Sequence, residues 1–166
     1  MNKKSANYIL NITHLLNQTK NILINLNNKI AFDYADWTYD KCKIKFKSEF
    51  PNFKITNNYV YWCNLGINIG SEQNKLRPAI VIKTKLNSTT CTIIPLTSKR
   101  KNDTRYYHID LENIDSTALI EQLRNVSKLR IIKPHRLKGD LSKITINDWN
   151  KINFAVQKYY SLTKLK

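Results

Sequence analysis

The chain has 166 residues, 42% of them hydrophobic, and no apolar run near the ~20 residues that a membrane helix requires; this suits a globular domain with an appendage and argues against disorder or a membrane span. Its 28 Lys and Arg against 12 Asp and Glu leave a net charge of +16, of which residues 1–58 carry 9 basic and 4 acidic side chains and residues 59–166 carry 19 and 8. A surplus spread along a folded chain favours a polyanionic partner, and no helical stretch pairs a Lys-rich face with a Trp- and Leu-rich one as a membrane-surface helix would.

From the N-terminus, Lys3 and Lys4 are followed by Asn7, Asn11, Thr13 and His14, which interrupt any apolar leader. No signal peptide is expected, and the chain is expected to stay in the cytoplasm. Residues 5–32 read as one long helix, with Ile9, Leu16, Leu23 and Ile30 as one heptad column and Ile12, Thr19 and Leu26 as the other. Eight Asn in the first 28 residues make that helix intrinsically weak, so its stripe must lean on packing. Residues 33–50 suit a second helix, with Tyr34, Trp37, Cys42 and Phe46 as apolar points and Pro51 closing it. The pattern then changes at Asn57-Asn58, giving a helical extension over residues 1–57 and a strand-rich domain over residues 58–166.

Strands are expected at residues 59–64, 78–84, 89–96, 106–111 and 126–132, with 116–122 ambiguous and Asn87-Ser88 a turn signal. Pro95 points to a sheet edge or a bulge. Short strands at close spacing argue for a small barrel. A closing helix is expected over residues 146–162, with Thr145 and Asp148 spaced as a capping box.

The chemistry-bearing residues are few. Cys42, Cys63 and Cys91 are odd in number and lack CxxC spacing, so neither disulfides nor a zinc site is expected. His14, His108 and His135 are scattered and have no carboxylate motif, so no metal site and no cofactor are expected; His108 and His135 offer an acid–base pair or, more simply, surface histidines. Three glycines cannot build a phosphate-cradling loop. RNA needs no metal to be cut, because its 2′-OH is a nucleophile already in place. What the protein must add is in-line positioning and charge at the phosphate. In Arg77-Pro78-Ala79-Ile80-Val81-Ile82, Pro78 pushes Arg77 toward an extended conformation at a strand entrance, so a permanent guanidinium fork is held there. In Ile93-Ile94-Pro95-Leu96-Thr97-Ser98-Lys99-Arg100 a buried strand ends in two hydroxyls and two cations, which is also what an ordinary strand end looks like.

Taken together, Tyr61-Trp62-Cys63-Asn64-Leu65-Gly66, Gly70-Ser71-Glu72-Gln73, the Arg77-Pro78 strand, Pro95-Leu96-Thr97-Ser98 and Glu121-Gln122-Leu123-Arg124-Asn125-Val126-Ser127-Lys128-Leu129-Arg130 resemble the MazF/PemK family, the toxins of type II toxin–antitoxin systems. The blocks stand in family order over about residues 59–138. The resemblance implies an α+β fold: a small SH3-like β-barrel of the MazF/CcdB kind with a C-terminal helix, here behind an N-terminal helical extension. It implies a homodimer that binds a small acidic antitoxin and cuts single-stranded RNA without metal, leaving a 2′,3′-cyclic phosphate and a 5′-hydroxyl. The family's catalytic arginine and threonine fall on Arg77 and Thr97. Glu72, Gln73, Ser98, Lys99, Gln122 and Arg124 are the expected RNA-binding residues beside them.

Trp62, Tyr106 and Tyr107 are candidates for stacking on bases or for the core. The family's Gly-Asp opening is Asn57-Asn58 here, and the extension lies outside the resemblance. It could widen a dimer interface, cover the RNA groove, meet the antitoxin or simply pack as a helical pair. Two rival readings remain on the same barrel: a CcdB-like gyrase poison and a basic nucleic-acid-binding module without catalysis.

Overall fold

The computed structural model describes residues 3–46 and 49–162, with side chains from residue 7 onward. The chain forms two compact units, residues 1–45 and 46–166.

The first unit is a pair of helices, α1 (Lys3–Leu23) and α2 (Asn28–Phe46). The single helix expected over residues 5–32 is broken. Asn25 N and Leu26 N donate to Ile22 O and Leu23 O, tightening the last turn, and the Asn27 side chain then accepts from Lys29 N at 3.0 Å. Asn27 is thus an N-cap that starts a new helix, and the Asn-rich composition is what makes this break affordable. Ile30 therefore belongs to α2 and not to the column of Ile9, Leu16 and Leu23. The second helix begins earlier than expected; Phe50 lies beyond it, and residues 47 and 48 of that expectation lie outside the described residues.

The second unit contains β1 (Val60–Asn64), β2 (Leu76–Thr84), β3 (Thr90–Thr97), β4 (His108–Asp110), β5 (Thr117–Leu119), β6 (Arg124–Ser127), β7 (Ile131–Pro134), the two-residue strands β8 (Arg136–Leu137) and β9 (Asp140–Leu141), and α3 (Ile146–Tyr159). All ladders are antiparallel, in the order β4-β5-β3-β2-β1-β7, with β6 also on β3; the path does not close on itself, so the expected small barrel is an open, barrel-like sheet. β8 and β9 form a hairpin of their own, turned by Lys138 (φ 49°) and Gly139 (φ 95°), both in the left-handed region that a two-residue hairpin of this hand needs.

Two stretches depart from the sequence reading. The strand expected over 126–132 is two strands, because the Ser127 hydroxyl accepts from Leu129 N and caps a 3₁₀ turn, Lys128–Arg130, between β6 and β7. The ambiguous stretch is β5 followed directly by a 3₁₀ turn, Ile120–Gln122. Pro95 sits where β3 changes partner. Its earlier half pairs β6 as far as Ile93↔Arg124, and its end pairs β5 from Leu96↔Ala118. A residue without an N–H costs little in that gap.

β1, β2 and β3 are buried on both faces, which explains their near-continuous apolar runs. Val60, Ile80, Ile94 and Leu96 face one cluster, where α3 adds Ile152 and Ala155; Tyr61, Cys63, Ala79, Val81 and Ile93 face the other. α3 starts at the expected capping box. The Thr145 hydroxyl accepts from Asp148 N, and the Asp148 carboxylate accepts from Thr145 N and from Glu112 N, tying the helix to the loop after β4. Residues 49–57 run onto this second unit: Phe53 stacks on Tyr61, whose hydroxyl accepts from Thr56 N.

Candidate active site

The loop between β1 and β2 is stapled from inside. The Asn68 side chain donates to Leu65 O and Gln73 O, Asn68 N donates to the Asn74 side chain, and Lys75 N returns to Gly66 O. Asn74 O in turn accepts from Arg77 Nε at 2.8 Å. Arg77, half-buried on β2 opposite Cys63, is therefore aimed by the loop as well as by Pro78, and among the described residues no hydrogen bond engages its two terminal nitrogens. The sequence reading missed Asn68 and Asn74, because their importance lies in contacts made only once the loop is closed.

Thr97 ends β3 and is 6% exposed. Its side-chain oxygen accepts from Lys99 N, and on one side it pairs with Thr117 of β5. On the other side, the β2–β3 ladder pairs Ala79 with Pro95. The paired register ends there, and Arg77 and Thr97 each lie two residues beyond that pair on their own strands.

Four of the expected residues form one cluster. Gln122 Oε1 accepts from Gln73 N at 3.2 Å and from Arg124 Nη2 at 2.8 Å, and Arg124 Nη1 lies 3.9 Å from Glu72 Oε2. Gln122 is the hub, joining the β1–β2 loop to β6 across 49 residues of sequence. Ser98 and Lys99 are exposed beyond Thr97; among the described residues no hydrogen bond or ion pair joins their side chains to this cluster. Arg130, the last residue of the final resemblance block but not among the expected site residues, braces the end of β1 by donating to Asn64 O and Leu65 O.

The remaining reactive groups are quiet. All three cysteines are free. Burial pushes the Cys63 thiol up to about 12 and raises Cys91 as well, so both stay protonated and unreactive. Cys42 is exposed on α2. His108 is not the surface histidine expected: its side chain is 0% exposed, enclosed because β4 packs it beneath the 3₁₀ turn. His135 is half-buried, hydrogen-bonded to Ser142 and tilted against Trp62 with ring centroids 5.6 Å apart, and burial holds it below its ordinary value. No contact joins the two histidines. Tyr106 and Tyr107 lie in an edge-to-face chain of rings, with Lys158 4.3 Å over Tyr106. Among the described residues no three His, Cys, Asp or Glu side chains converge as metal ligands, and no helix is long and apolar enough to cross a membrane.

Residues 57–159 match the profile of the PemK-like, MazF-like toxins of type II toxin–antitoxin systems. The chain belongs to this family. Among solved structures, the MazF-like fold aligns with MazF (Form-I) from Deinococcus radiodurans at a TM-score of 0.55 and 16% identity, over 65% of this chain and 97% of that one. It also aligns with the MazE–MazF complex (Form-II) from the same organism at a TM-score of 0.51 and 15% identity, over 68% and 100%. No curated protein matches the chain. The eight expected site residues all fall inside the MazF-like region, and residues 1–56 fall outside it.

Proposed function

We propose that this MazF-like toxin is a sequence-specific endoribonuclease that cuts single-stranded mRNA without a metal ion. What supports this reading is that Arg77 and Thr97 lie on adjacent strands just beyond their last paired residues, Ala79 and Pro95, and that the Gln73–Gln122–Arg124 cluster joins the loop that aims Arg77.

The 2′-oxygen attacks the phosphorus in line, the bond from phosphorus to the 5′-oxygen breaks, and the products are a 2′,3′-cyclic phosphate and a 5′-hydroxyl. Charge develops on the non-bridging oxygens, and the free arm of the Arg77 fork stabilises it. Thr97 donates a hydrogen bond to the same phosphate. Glu72, Gln73, Gln122 and Arg124 line the groove that holds the flanking nucleotides, and Ser98 and Lys99 add a hydroxyl and a cation at its rim. The protein works as a homodimer and is held inactive by a small acidic antitoxin; the solved MazE–MazF complex shows such a pairing in a relative.

Arg77→Ala is expected to lower cleavage by about 10²–10³-fold, roughly 3–4 kcal/mol in the barrier. The fold should persist, because the half-buried side chain gives up one hydrogen bond to Asn74. Product analysis by mass spectrometry should show the cyclic phosphate, and EDTA should not slow the reaction. A folded Arg77→Ala protein that cuts at the parental rate, or cleavage that stops in EDTA and returns with a divalent ion, refutes the proposal.

A further inference from the structure

His108 opens β4, and both ring nitrogens meet carboxylates from different segments: Nδ1 is 2.9 Å from Asp103 Oδ2 and Nε2 is 3.0 Å from Glu121 Oε1. Ionised carboxylates only accept, so both bonds are made at once only by a ring protonated on both nitrogens. Glu121 depends on that charge. Its other oxygen, Oε2, is buried with no hydrogen-bond partner among the described residues. Asp103 is less dependent, since Oδ1 accepts from Arg105 N and Arg105 Nη1 lies 3.9 Å from Oδ2.

The two carboxylates come from segments that matter. Asp103 belongs to the loop that leaves Thr97, Ser98 and Lys99, a loop also held by Asn102 N on Asp110 Oδ2. Glu121 immediately precedes the hub, Gln122. We propose that protonated His108 is a positioning residue for the cleavage reaction, clasping the loop behind Thr97 to the turn that carries Gln122; this rests on the ribonuclease reading above.

The charged and titratable groups around the ring are Asp103 and Arg105 from the loop, Glu121 from the 3₁₀ turn, Tyr107 edge-on at 4.8 Å and, on the far side of Glu121, Tyr160 from the end of α3, whose hydroxyl donates to Ile120 O. Without both bonds, loop and hub move independently and cleavage slows.

The test compares the full-length protein with His108→Gln, which can donate to only one carboxylate, and His108→Leu, which can donate to neither. In free protein, nitrogen NMR of the wild-type ring should show two N–H protons, and amide exchange at residues 101–105 should rise about tenfold or more in His108→Gln. On RNA, kcat should fall by roughly tenfold or more and KM should change less. Unchanged exchange, or faster exchange with the parental kcat, overturns the positioning role. If both variants fail to fold, a wild-type ring carrying a single N–H overturns it. A wild type that cuts no RNA removes the ribonuclease reading and the positioning role with it, while exchange and NMR still report whether the clasp exists.

Discussion

The two units of this chain differ in what they do with apolar side chains. Along residues 7–45 nothing is buried: Leu16 is 62% exposed, and Leu23, Ile24, Phe32 and Tyr39 line an open groove of about 740 Å³ between α1 and α2. In the barrel, Ile80, Ile93, Ile94, Leu96 and Ile120 are fully enclosed. Two helices meet along one line and leave the rest of their stripes uncovered, whereas a sheet packed on both faces closes around each side chain. Stability and a rigid site therefore belong to the barrel, and the hairpin is the part whose apolar surface remains available.

The largest expected contrast is chemical. A thiol reagent in native buffer should label exposed Cys42 at once, while Cys63 and Cys91 wait for the barrel to open. For a domain stable by about 5 kcal/mol or more, that wait is at least about 10³-fold longer. Equal labelling of all three, read by mass spectrometry, would break the comparison.

Next in size is truncation. Ile94→Ala should cost about 2–5 kcal/mol in denaturant unfolding because it empties an enclosed site. Leu16→Ala should cost less than about 0.5 kcal/mol. A large cost at Leu16 would mean that another molecule covers the hairpin stripe in solution.

The smallest effect is the pH dependence of barrel stability. Burial holds His135 low, so it folds neutral; as pH falls through about 6.5 the unfolded chain takes up the proton first and stability drops. Asp103 and Glu112 are also held low, Asp103 by the Arg105 amide and then His108, Glu112 by the Thr145 hydroxyl and the Asn147 amide. Their contribution is complete above the ordinary carboxylate range and is lost as pH falls through their depressed values. On the alkaline side the unfolded chain releases the Cys63 proton near 9, while the folded barrel keeps it to about 12. Stability should fall there by at most about 1.4 kcal/mol per pH unit, and Cys63→Ala should flatten that slope in urea titrations.

Much of the barrel was legible because its cause is local. Arg77-Pro78 before a β-branched run, Thr97 at the end of the next one, and Thr145 three residues before Asp148 each carry their structural reason within a few residues. The same locality explains the family resemblance and the choice of Arg77, Thr97, Gln122 and Arg124. Where a local signal was outweighed, the sequence misled: the heptads of the first 30 residues asked for one helix, and in the structure Asn27 caps a second.

What only the tertiary structure decided are contacts between segments far apart in the chain. Gln122 becomes a hub because the β1–β2 loop folds back onto the turn before β6. Asn74 aims Arg77 because Asn68 has closed the loop around it. His108, one of three scattered histidines in the sequence, is enclosed between carboxylates five residues before it and thirteen after it. Propensity and periodicity act over a few residues, so they determined elements and strand ends. Burial and charge pairing depend on which elements meet, and that is set by packing of the whole domain.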